Sequence, residues 1–143
     1  MCSSDLGAHP GTTLDQWVFS LDESTHANWS TQFALDTVVA SDPGGTGVAV
    51  DALGNVYLAG TTKHAILAAQ EPMAAGRNGY LLKFDRMGAR QWAHYFCGAP
   101  VDDAPAVSVD VFGVAVTGST HDCPDAPEAS GGLVDAFVVS YAP

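Results

Sequence analysis

The sequence predicts an all-β chain built from repeated four-stranded antiparallel units, and three observations carry that expectation. Short β-branched and aromatic runs, such as VYLAG, YLLKF and AFVVSY, are bounded by Gly, Asp and Pro, the composition of strands closed by tight turns. The same strand pattern returns three times along the 143 residues. The motif Asp-x-x-Gly recurs at Asp51–Gly54, Asp85–Gly88 and Asp110–Gly113. In such a turn the Asp carboxylate accepts from backbone N–H groups ahead of it, and Gly takes the positive φ that closes the hairpin.

The repeat sets the order of the elements. DQWVFSLD (Asp15 to Asp22), NGYLLKFD (Asn78 to Asp85) and DAFVVSYA (Asp135 to Ala142) align with Trp17, Tyr80 and Phe137 in register. Trp29 and Trp92 follow the first two copies at equal spacing, as do Phe33 and Phe96. A second unit, Gly47 to Thr62, aligns with Ala106 to Thr120, placing Asp51 on Asp110 and Gly54 on Gly113; Asn55 has no counterpart in the later copy. The two units alternate with a period of about 57–63 residues. That is long for a helical repeat and suits a propeller blade with loop insertions. Nine strands follow, near 16–22, 28–33, 46–51, 55–62, 79–85, 90–96, 105–110, 113–119 and 135–141. They group as the outer two strands of one blade, a complete blade, and three strands of the next. This is a partial β-propeller of about two to two and a half blades. After Asp22 comes Glu-Ser-Thr-His with no Gly, so a looser loop is expected there.

Residues 15–143 form the incomplete repeat region, and 1–14 read as a non-native or disordered leader. The string Met1-Cys2-Ser3-Ser4-Asp5-Leu6 translates GTG-TGC-TCT-TCC-GAT-CTN, which resembles the end of a sequencing adaptor. It has neither the basic nor the apolar region of a signal peptide. The chain is accordingly expected to be a fragment whose end blades, short of a closed ring, expose apolar surface.

Several function classes recede on composition. Sixteen acidic against five basic residues give a formal charge of −11, and a nucleic-acid partner wants a basic stripe. No apolar run reaches the length of a membrane-spanning helix. Gly44-Gly45-Thr46-Gly47 lacks the lysine of a phosphate loop. His121 and Cys123, or His94 and Cys97, match no structural zinc spacing. Asp102 and Asp103 offer oxygens to calcium without a ligand pattern around them. No catalytic residue, metal or cofactor is expected. Cys97 and Cys123 each follow a strand ending on the same face of an up-and-down meander. They are the candidate disulfide in an oxidising compartment, closing a loop worth about 3 kcal/mol. The residues that define the repeat are Asp51, Gly54, Asp85, Gly88, Asp110 and Gly113 in the turns, with Trp29 and Trp92 as packing between blades.

At these residues the chain resembles the SBBP repeats, a β-propeller family of bacterial surface and secreted proteins. Asp135-Ala136-Phe137-Val138, Trp92, Phe96, Asp103-Ala104, Val109-Asp110, Gly54-Asn55-Val56-Tyr57 and Ala59-Gly60-Thr61 stand where that pattern has its strand, tryptophan and turn positions. Cys97 replaces a Gly, and 34–46 carry an insertion. The resemblance implies a propeller, a secreted or cell-surface location and no shared catalytic activity. The function expected is a non-enzymatic module with a binding or structural role. Its partner is an unidentified protein or carbohydrate, and self-association through open blade edges is a further expectation. The alternative is a piece of a propeller enzyme. One form is quinoprotein dehydrogenase-like, since Asp85-Arg86-Met87-Gly88 with Trp92 also resembles a tryptophan-docking repeat. The other is a lyase or glycosidase whose catalytic residues lie elsewhere.

Overall fold

The structure is a computed structural model, and it describes residues 16–33, 44–63, 77–96, 106–120 and 135–142. Nine strands run in order: β1 (Gln16–Leu21), β2 (Ala27–Phe33), β3 (Gly44–Val50), β4 (Val56–Thr62), β5 (Asn78–Phe84), β6 (Arg90–Phe96), β7 (Ala106–Val109), β8 (Val114–Thr120) and β9 (Asp135–Tyr141). They form a first sheet of β1-β2, a middle sheet of β3-β4-β5-β6 and a third sheet of β7-β8-β9. Every pairing is antiparallel between chain neighbours. The grouping two, four and three is the one the repeat predicts, and no helix occurs among the described residues. The leader at 1–14 lies outside them.

Period-two alternation explains how the sheets stack. In β4, Val56 and Leu58 turn to the first sheet while Tyr57 and Ala59 turn to the third. In β5, Tyr80, Leu82 and Phe84 join the first cluster and Leu81 the second. Both faces of these strands are covered, so β4 is buried along its whole length. That is why VYLAG and YLLKF read as continuous apolar runs rather than alternating ones. The first interface contains Val18, Val56, Leu58, Tyr80, Leu82, Phe84 and Ala93, with Trp29 and Tyr95 packed at its margin. The second contains Tyr57, Ala59, Leu81, Phe96, Val114, Val116 and Phe137.

One expectation is corrected. The segment after Asp22 is not a looser loop. Thr25 takes a φ of 65°, where the other turns place Gly. Its N–H donates to the Asp22 carbonyl at 3.0 Å, and the Asp22 N–H donates to the His26 carbonyl at 2.9 Å. The turn keeps its geometry because Asp22 supplies the same side-chain acceptor as the other aspartates: Oδ1 receives the N–H groups of Ser24 and His26 at 2.8 and 2.9 Å. The carboxylate specifies this turn strongly enough to hold a β-branched residue in the left-handed region, at a cost of about 1–2 kcal/mol.

Candidate functional site

Among the described residues, polar chemistry concentrates at four hairpin turns. Each begins with an aspartate whose Oδ1 accepts two backbone N–H groups. Asp51 receives those of Leu53 and Asn55, both at 2.9 Å. Asp85 receives those of Met87 and Ala89 at 2.9 and 3.0 Å. Asp110 receives those of Phe112 and Gly113 at 2.8 and 3.1 Å, in a turn one residue shorter. Gly54 and Gly88 close their turns at φ of 82° and 81°. The carboxylates are therefore committed to their own backbone.

The second oxygen distinguishes the turns. At Asp51, Oδ2 accepts the Asn55 side-chain amide at 2.7 Å and the Tyr57 hydroxyl at 3.3 Å. At Asp85, the Gln91 amide takes that place at 2.9 Å. Desolvation works to raise the pKa of Asp51. The hydrogen bonds from the Asn55 side chain, the Asn55 and Leu53 N–H groups and the Tyr57 hydroxyl outweigh it, and hold the carboxyl below the usual range. The first such partner, Asn55, is the residue missing from the later copy, and Tyr57 aligns with Ala115. Asp110 accordingly carries a plainer turn.

The tryptophans of the repeat lie between sheets. Trp29 of β2 stacks on Phe84 with centroids 6.5 Å apart. It also covers Gly88, where a Cβ would fall 2.5 Å from Trp29 Cε3. The Thr31 hydroxyl donates to the Gly88 carbonyl beside it. Trp92 of β6 instead meets Tyr57 at 6.0 Å and His94 at 5.0 Å, and His94 stacks on Tyr141 at 5.7 Å and 22°. Lys83 Nζ lies 5.2 Å from the Tyr57 ring centroid, a cation–π geometry. Phe96 and Phe137 complete this seam, 5.7 Å apart. The His94 contact was not legible as such, because it joins β6 to a strand in the next repeat. His94 aligns with Thr31, so each marks the position on its outer strand that reaches across.

Leu53, Met87, Val111 and Phe112 stand exposed at the turn tips. Their sequence signal is an apolar residue two positions after Asp in three of the four turns. Asp102, Asp103, His121, Cys97 and Cys123 lie outside the described residues. The strands preceding the two cysteines, β6 and β8, both run away from the hairpin turns of their sheets. Among the described residues no group of three or more His, Cys, Asp or Glu could hold a metal ion.

The register of these strands is that of a repeat, and a family model agrees with it. Residues 28–68 match the SBBP beta-propeller repeat. The chain carries an SBBP repeat. The matched segment starts on β2 in the first sheet and runs through β3 and β4 in the middle sheet. The matched segment is thus out of phase with the sheets. No curated protein matches the chain. No helix among the described residues is long and apolar enough to cross a membrane.

Proposed function

We propose that this SBBP-repeat chain is a non-enzymatic propeller module of an exported bacterial protein, serving binding or architecture at the cell surface. The observation that carries the reading is how the described side chains are used. The recurring aspartates close turns, and the recurring aromatics join sheets. The repeat spends its signature residues on fold. Fold leaves function to sites outside the repeated signature, and the exposed turn tips Leu53, Met87 and Phe112 are the surface offered to a protein or carbohydrate partner.

Antibody against the chain, applied to intact and to lysed source cells, tests export. Labelling of intact cells is expected; labelling that needs lysis overturns it. Incubation with pyrroloquinoline quinone and calcium tests the non-enzymatic part. An unchanged quinone spectrum and no dye reduction are expected, and dye reduction with an alcohol or sugar substrate would sink the reading.

A further inference from the structure

The aspartate turns ask nothing apolar of the second residue after the aspartate. In each of the four turns that residue donates its backbone N–H to the Asp Oδ1, and its side chain takes no part. The first turn has Ser24 there. The other three have Leu53, Met87 and Phe112, exposed to 78%, 72% and 85%, with Val111 beside Phe112 at 81%. Exposed apolar residues scattered singly need no explanation, whereas a group gathered on one face marks a contact surface.

This exposure does not come from an uncovered sheet. The middle sheet packs against a neighbour on each face, yet Leu53 and Met87 at its two hairpins stay in solvent. Phe112 is the repeat counterpart of Leu53 and holds the same place one sheet on. The three turns share one end of the array. Those of the middle sheet lie side by side, with Arg86 Cβ 3.3 Å from where a Cβ on Gly54 would stand. β7 runs beside β3 and β4 in the repeat register, which brings the turn after it to that same end.

We infer that the Leu53, Met87, Val111 and Phe112 tips dock a basic partner protein, which meets them with an apolar patch rimmed by lysine or arginine. The inference rests on the turn tips being the binding surface of the module, and it names the chemistry of the partner. Two observations select that chemistry. Sugar hydroxyls need hydrogen-bonding groups; Leu53, Val111 and Phe112 offer none, and each Asp Oδ1 is already filled by backbone N–H groups. Asp51, Asp85 and Asp110 stand at the foot of the tips in a chain of charge −11, with Arg86 as the one cation between an Asp and its Gly. Apolar anchors inside an acidic surround are complementary to apolar residues inside a basic one.

Fluorescence anisotropy on the full 143-residue chain tests this. The probe is a dye-labelled amphipathic peptide of leucine and lysine, about 14 residues long so that it can form a helix. Its control has the same composition in scrambled order. The wild type is expected to bind the amphipathic peptide at about 10–100 μM, and the scrambled one at least about tenfold more weakly. Leu53→Ser with Phe112→Ser keeps the charge and copies the Ser24 turn, and circular dichroism checks its fold. That double variant is expected to lose at least about tenfold in affinity, since the anchors carry the contact. Added salt is expected to weaken binding by screening the charged rim. Equal affinity for both peptides, or a double variant that binds as the wild type does, reduces the contact to charge alone and overturns the inference. So does wild type that floats with phosphatidylcholine vesicles when the double variant does not, which means a lipid surface. Intact-cell labelling without peptide binding removes this partner and leaves the exported module standing; peptide binding with labelling only after lysis does the reverse.

Discussion

The two sheet–sheet interfaces share a register and differ in how they are covered. The first sheet presents two strands to the middle sheet, and Val48 and Val50 of β3 are left 62% and 59% exposed. The third sheet presents three strands, and Val107 and Val109 of β7 pack against the second cluster. Aromatic contacts differ too. At the first interface Trp29 stacks on Phe84. A chain of rings from Tyr57 through Trp92 and His94 to Tyr141 seals the second. The lesson is that one residue pattern yields interfaces covered in different ways, and that the inner strand of the covering sheet, β7 over the second interface, makes the difference.

Removing a ring from each interface measures what burial of that ring contributes. Phe84→Ala is expected to cost about 3–5 kcal/mol in urea unfolding, since the side chain is wholly buried and carries the Trp29 stack. Phe137→Ala, with part of its ring still wet, is expected at the lower end of that range. Equal costs would mean that the Trp29 stack and the fuller burial of Phe84 add nothing.

Two glycines at nearly the same φ sharpen the point. Gly88→Ala must move the Trp29 indole as well as accept a strained backbone, and is expected to cost about 2–3 kcal/mol. Gly54→Ala meets only Arg86 Cβ at 3.3 Å and is expected to cost about 1 kcal/mol. Thermal melts of the pair measure the part due to Trp29 as a difference, and a null difference would remove Trp29 from the first interface.

The aspartate turns offer a third contrast. Asp51→Ala loses four hydrogen bonds and Asp22→Ala two, so costs of about 2 and about 1 kcal/mol are expected. The acid limb carries a further sign. The Asp51 carboxyl is held below its usual 3.8 in the fold. Its stabilisation is therefore complete above that value and is lost as the pH falls through the lowered one. In acid titration, Asp51→Asn is expected to flatten the loss of stability below about pH 4. A curve as steep as the wild type would assign that limb to other carboxylates. The smallest expected effect is Thr25→Gly, a gain of up to about 1 kcal/mol from releasing the left-handed strain.

These contrasts also separate what the sequence reveals from what it hides. Strand order and the grouping into sheets were legible, because Asp-x-x-Gly and the aromatic run repeat in register. The turn after Asp22 was not legible, because it has no Gly and the aspartate alone carries its geometry. The His94–Tyr141 stack was hidden, since a contact between strands of different sheets leaves no local pattern. Asp51, Gly54, Asp85, Gly88, Asp110 and Gly113 stood out as repeating. Their hydrogen bonds, and the apolar tips they lift into solvent, needed coordinates.

The phase offset between the matched repeat and the sheets has a mechanical meaning. Residues 28–68 lend β2 to one sheet and β3 with β4 to the next. Neighbouring repeats are therefore laced together by main-chain ladders as well as by side-chain contact. Cutting the chain at a repeat boundary strips a strand from a sheet, and cutting it at a sheet boundary splits a repeat. Cooperativity then spreads along the array through the backbone itself, and no single period of the sequence is a self-sufficient folding unit.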